Sequence, residues 1–151
     1  MINEIPQFGT TDPRADYLLR PGGYAVIVRA TGDVALVSFK DRFYLPGGGQ
    51  ENGETAAAAA VREAWEECGL HIRILNCIGI ADELVYAADE QTHFRKRCTF
   101  FRAELASEER GSGESDQTLF WVPAKQAISL LRHESQKWAI ANGSITTVST
   151  A

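Results

Sequence analysis

Three cysteines among 151 residues, Cys68, Cys77 and Cys98, are too few to staple a fold. Their odd number and the lack of any C-x-x-C pair argue against a disulfide framework and a zinc site, and leave buried thiols as the reading. Long apolar runs are also missing: nowhere do about 18 apolar residues follow one another, so no membrane-spanning helix is predicted. The opening MINEIPQFGTTDPRADYLLR is polar and lacks the apolar core of a secretory signal, which makes the cytoplasm the expected location. Positive charge is scarce, with 15 Lys and Arg against 20 Asp and Glu and a formal charge of −5. That balance argues against a nucleic-acid polymer as main partner, because phosphate contacts need clustered Lys and Arg. A small phosphorylated molecule held through metal ions escapes the objection. Internal repeats and low-complexity runs are absent.

What is present suits a single domain. An apolar content of 44% over this length fits one substantial core, expected to span 1–151 with flexible ends near 1–15 and 143–151, the closing GSITTVST being read as frayed. GYAVIVRA and DVALVSF read as two strands of a hairpin turning at Gly32 and Asp33. The stretches IRILNCIGIADELVY, HFRKRCTFFRAEL and TLFWV continue the β pattern, with AADEQT as a turn. After Pro123, apolar Ala124, Ala127, Ile128 and Leu131 recur at helical spacing, and ESQKWAIAN forms a last helix.

Between these strands lies the stretch REAWEECGL, which carries glutamates at 63, 66 and 67. On a helix at about 100° per residue the three fall within an arc of about 100°, where like charges repel at roughly 0.2 to 0.5 kcal/mol per pair. Ala57, Ala60, Val61, Ala64, Trp65 and Cys68 are expected on the other, apolar side. Arg62 stands at i,i+4 to Glu66. Upstream, FYLPGGGQENGET supplies three glycines able to bring the backbone close to the acidic face, then Thr55 as N-cap. Carboxylates and carbonyls suit a hard cation such as magnesium, which keeps waters and is commonly shared with substrate phosphates. No Gly-Lys-Ser/Thr follows, so the glycines are not a P-loop.

From Gly48 the spacing reads Gly, five residues, Glu54, seven residues, Arg62-Glu63-Ala64, one residue, Glu66-Glu67, one residue, Gly69-Leu70. With its Leu-Pro-Gly-Gly lead-in this resembles the Nudix box, Ala64 replacing a more usual larger aliphatic residue. The resemblance implies an α/β fold, the Nudix α/β/α sandwich with a mixed β-sheet, over roughly 20 to 140. It also implies a pyrophosphohydrolase using Mg2+, with Mn2+ as an alternative. The substrate would be a nucleoside diphosphate linked to another group: a nucleoside triphosphate, a dinucleoside polyphosphate or a nucleotide sugar. Carried over by position, Glu66 and Glu67 are metal ligands, and Glu63 is a further ligand or the base. Arg62 orients the glutamates, Glu54 supports the metal site and the Gly47 carbonyl is a backbone ligand. The alternative is a catalytically silent nucleotide-binding or regulatory module of the same fold, as monomer or homodimer in either case.

Outside the box, the loop ERGSGESD offers Glu114 or Asp116 as one more carboxylate, with Asp116 preferred because it stands nearer the next strand. In HFRKR, alternation puts His93, Arg95 and Arg97 on one strand face, where the two arginines could meet substrate phosphates, although a solvated edge is the simpler account. Tyr86 lies 16 residues beyond Leu70, where a tyrosine in this family often accompanies dinucleoside polyphosphate hydrolysis. No proline occurs between Pro46 and Pro123, so an ADP-ribose reading gains no support.

Overall fold

The computed structural model describes residues 4–143, so all of GSITTVST beyond Gly143 lies outside the described residues. Its elements are β1 (Gln7–Gly9), β2 (Tyr17–Ile27), β3 (Asp33–Phe39), β4 (Arg42–Tyr44), β5 (Gly47–Gly49), α1 (Ala56–Cys68), β6 (Leu70–Ala87), β7 (Thr92–Arg110), β8 (Thr118–Pro123), α2 (Ala124–Leu130) and α3 (Glu134–Asn142). A mixed five-stranded sheet runs β1-β6-β7-β2-β5, and a three-stranded sheet runs β4-β3-β8. Among the described residues no helix is long and apolar enough to cross a membrane.

Strand β2, flanked by β7 and β5, explains the layering. Ala25, Val26 and Ile27 are each fully buried, because both faces are covered and successive side chains enter opposite cores. Ala25 and Ile27 pack with Ala60, Ala64 and Phe101 beneath α1, while Val26 packs with Phe100, Ala127 and Ile140 beneath α2 and α3. Two helix layers therefore sandwich the sheets. Phe100, with no exposed surface, contributes about 1.5 to 3 kcal/mol by burial.

Two expectations change. The predicted hairpin keeps its turn, with Gly32 N–H donating to Arg29 O at 2.8 Å, and one antiparallel bridge of Val28 to Val34, but its ladder goes no further. β2 pairs with β7 in parallel over eleven positions, so β3 crosses to the second sheet and pairs with β8 and β4. Within the end expected to be flexible, Gln7–Gly9 adds an edge strand parallel to β6.

Candidate active site

Helix α1 begins where Thr55 Oγ1 accepts the Ala58 N–H at 3.1 Å and ends at Gly69, whose left-handed φ of 67° lets its N–H reach the Ala64 and Trp65 carbonyls. Its buried residues are Ala59, Ala60, Ala64 and Cys68, whereas Val61 and Trp65, expected on the apolar face, are 37% and 43% exposed. The buried stripe is thus displaced towards the glutamates. At about 100° per residue Glu67 stands only some 60° from Ala64, which draws it into the protein.

Arg62 organises the acidic face. Its Nε and Nη2 donate to both oxygens of Glu54 at 2.8 and 2.9 Å, its Nη1 to Glu63 and Glu66 at 3.0 Å each, and Nη2 also to Gly49 O at 3.1 Å. The guanidinium hydrogen bonds hold Glu54 well below the usual carboxylate range, at about 2. Arg62 itself is raised, chiefly by Glu54 and Glu66. Gly48 lies against the Glu63 carboxylate so closely that any Cβ there would collide with it, which is a direct reason for glycine in this loop.

Glu67 receives no help from Arg62. Its Oε1 accepts the Gly47 N–H at 3.0 Å, yet burial, with Glu63, Glu114 and Glu66 nearby, pushes its carboxyl up to about 8. Burial also raises Glu63, against the pull of Arg62. Glu114 reaches both because its loop is tied to the end of α1: Gly111 N–H donates to Gly69 O at 2.8 Å, Arg110 Nε to Cys68 O at 3.1 Å and Glu114 N–H to Glu67 O at 3.2 Å. Glu67 opens on a cleft of about 310 Å³ whose walls include Arg20, Tyr44, Lys96, His133 and Gln136.

The pattern that defines the NUDIX domain matches residues 18–142. The chain belongs to the Nudix family. Human diphosphoinositol polyphosphate phosphohydrolase 3-beta is 31% identical to it over 107 residues, covering 66% of this chain, which spans 60% of that relative's length. The E. coli dihydroneopterin triphosphate pyrophosphohydrolase superposes with a TM-score of 0.69 at 21% identity over 85% of this chain and 96% of its own. A C. elegans Ap4A hydrolase does so at 0.68 and 18% over 87% and 99%. These two likenesses show the fold.

Nudix enzymes generally use divalent metal ions, and the donor set here fits a hard cation. It consists of Glu63, Glu66 and Glu67 with Glu114 beside them, and a half-buried carboxylate held towards its neutral form is what a divalent charge would relieve. Among the described residues no three such side chains already converge to ligand distance. The cause is electrostatic: Arg62 draws Glu63 and Glu66 to itself while Gly47 holds Glu67.

Other predicted residues are distributed differently. Glu54 meets Arg62 with both oxygens and stands one step removed from the Nudix carboxylates Glu63, Glu66 and Glu67. Gly47 meets the site through its N–H, which donates to Glu67 at 3.0 Å; its carbonyl stands as a proposed ligand. Glu114, not the preferred Asp116, bears on Glu63 and Glu67. Arg95 and Arg97 bind the buried Asp82, Arg97 with two bonds of 2.9 Å and Arg95 with one of 3.3 Å, and neither lines the cleft at Glu67. Burial works against the Asp82 charge, but the two arginines outweigh it and lower its pKa. Tyr86 is 54% exposed, lies 4.7 Å from the His93 ring and lines a second cleft of about 630 Å³ that shares Tyr44 and His133 with the first.

Sequence reasoning missed Arg20, Lys96, His133 and Gln136. A signal for Lys96 exists: counting in twos groups it with Phe94, Cys98 and Phe100, all buried, so a lysine stands on the inward face. Gln136 and His133 carry no such signal, because their place depends on how α3 docks.

Proposed function

We propose that this chain hydrolyses a pyrophosphate bond in a nucleoside diphosphate linked to another group, with magnesium or manganese held by Glu63, Glu66 and Glu67. The observation that carries the reading is the half-buried Glu67, beneath the glycine loop, opening on a cleft that also holds Arg20 and Lys96. A bound divalent ion would neutralise phosphate charge and lower the pKa of a water. Arg62 keeps Glu63 and Glu66 in position, and Glu63, lifted by burial, accepts the water's proton, with Glu114 as the rival base. Arg20 and Lys96 orient substrate oxygens. The silent-module alternative is disfavoured because no box glutamate is lost.

Glu66→Gln and Glu67→Gln test the reading. Each keeps size and removes charge, so turnover should fall by about 100-fold or more while the fold survives. Near-parental turnover in both would remove the metal assignment. A panel of nucleoside triphosphates, dinucleoside polyphosphates, ADP-ribose and other nucleotide sugars would rank substrates. The exposure of Tyr86 in the second cleft favours a dinucleoside polyphosphate as second reading, since an open ring can stack on a base. That reading requires Tyr86→Ala to raise KM for such a substrate more than it lowers kcat.

A further inference from the structure

Beyond Glu67 the first cleft changes character. Glu67 is the one acid among its described lining residues, which also include the donors Arg20, Lys96 and Gln136. Gln136 is 97% buried by its 3% exposure, and its Oε1 accepts the Leu45 N–H at 2.8 Å. Because Leu45 N–H needs an acceptor, the amide is oriented, and the end left for the cleft is Nε2, a pure donor. Nε2 makes no hydrogen bond to another described residue. An amide nitrogen held in place by its own oxygen's bond, without a protein partner and lining a cleft, is placed to meet an acceptor there.

Lys96 lines the same cleft and makes no ion pair among the described residues. Glu83 lies opposite it in the β6–β7 register, with its Oε1 accepting the Ser135 N–H at 2.9 Å. The neighbouring His133 carries no charge of its own to compete, since burial, with Lys96, Arg132 and Arg42 around it, pushes it down to about 4. Arg20 lines the cleft too, its guanidinium 3.8 Å above the Phe94 ring and 3.3 Å from Glu90. A cation and an amide donor lining one cleft suit an oxyanion better than a ribose, which brings hydroxyl donors as well as acceptors.

We propose that Lys96 and Gln136 form a subsite for a phosphate that is not cleaved, so that the chain selects substrates whose phosphates continue past the scissile bond over those that pass from pyrophosphate directly to a neutral sugar. This rests on the pyrophosphohydrolase reading for its biological use, but not for its binding test.

The probe is inorganic tripolyphosphate, titrated calorimetrically into the metal-free chain, where no turnover occurs. Gln136→Glu keeps an acceptor for Leu45 N–H and replaces the donor by a negative oxygen; Lys96→Met keeps the stem and removes the charge. Each should weaken binding by about tenfold or more, the worth of one hydrogen bond to a charged group. In turnover, the ratio of kcat/KM for a nucleoside triphosphate to that for ADP-ribose should fall about tenfold in either variant, through KM. Uridine serves as the uncharged control for a wall that reads base carbonyls. Tripolyphosphate binding that is absent in the parent, or equal in parent and variants, overturns the subsite, as does a loss confined to uridine. A parent that hydrolyses nothing while its tripolyphosphate binding depends on both residues would sink the hydrolase reading and leave the subsite standing.

Discussion

Arg62 spreads one guanidinium over Glu54, Glu63, Glu66 and the Gly49 carbonyl. Planarity makes this possible, since the fork grips Glu54 with two bonds and still leaves Nη1 for the two helix glutamates. A lysine would keep the charge and lose the fork. Arg62→Lys should therefore lower turnover by about tenfold or more and reduce the melting temperature of the metal-free chain, because the glutamates repel without a shared partner. Since net charge is unchanged, the loss would report geometry. Steady-state kinetics and a thermal melt decide it, and parental values in both would reduce Arg62 to an ordinary surface pair.

Helix α1 and the loop after β7 act as one element, because carbonyls at the helix C-terminus are satisfied by Arg110, Gly111 and Glu114. This docking, not the loop's composition, brings Glu114 to Glu63 and Glu67. Glu114→Gln should lower turnover by about tenfold or more with little change in KM, and Asp116→Asn should act much less. Equal kinetics for both would return the loop to a solvated role. The β6–β7 hairpin offers the reverse case. Arg97 is spent on Asp82, a buried acid between two arginines about one-third exposed. Arg97→Ala should cost about 1 to 2 kcal/mol of stability, the buried-pair penalty reduced for screening. Its substrate KM should stay near parental, whereas a phosphate-binding Arg97 would show the opposite pair of effects.

At the scale of the whole molecule, two shifted groups shape stability against pH. Glu67, at about 8 when folded against about 4.3 unfolded, contributes stability that is complete below the lower value and lost as pH rises to the higher. His133, at about 4 when folded against about 6.5 unfolded, contributes stability that is complete above 6.5 and lost as pH falls to 4. Between about 4.5 and 6.5 the slopes oppose, so the metal-free chain should show a plateau there, then decline towards pH 8. If Glu67 holds the ion as proposed, saturating magnesium should remove the alkaline decline, because it would displace the Glu67 proton and stabilise the folded chain. Denaturant titrations in chelator at stepped pH test this. A Glu67→Gln variant with the same alkaline decline as the parent would show that Glu67 is not its source.

Local patterns alone determined a good deal: the box at Gly48 to Leu70, the acidic helix with its Thr55 cap, the β6 and β7 strands and the helices after Pro123. The helix and its cap depend on interactions within a few residues, and the strands left their trace as a run of β-forming residues whatever their partners. Tertiary structure decided the rest. Pairing of β2 with β7 broke the expected hairpin, since a ladder of eleven positions outweighs a local turn. Docking of α1 buried Glu67 and exposed Trp65, which a helical wheel cannot foresee without knowing which side meets the sheet. In HFRKR the strand parity and the apolar Phe94, Cys98 and Phe100 beside Lys96 were both legible, but that this face lines a cleft depends on how α3 docks. Gln136 gained its role from Leu45, 91 residues away, and no local pattern carries a contact of that range.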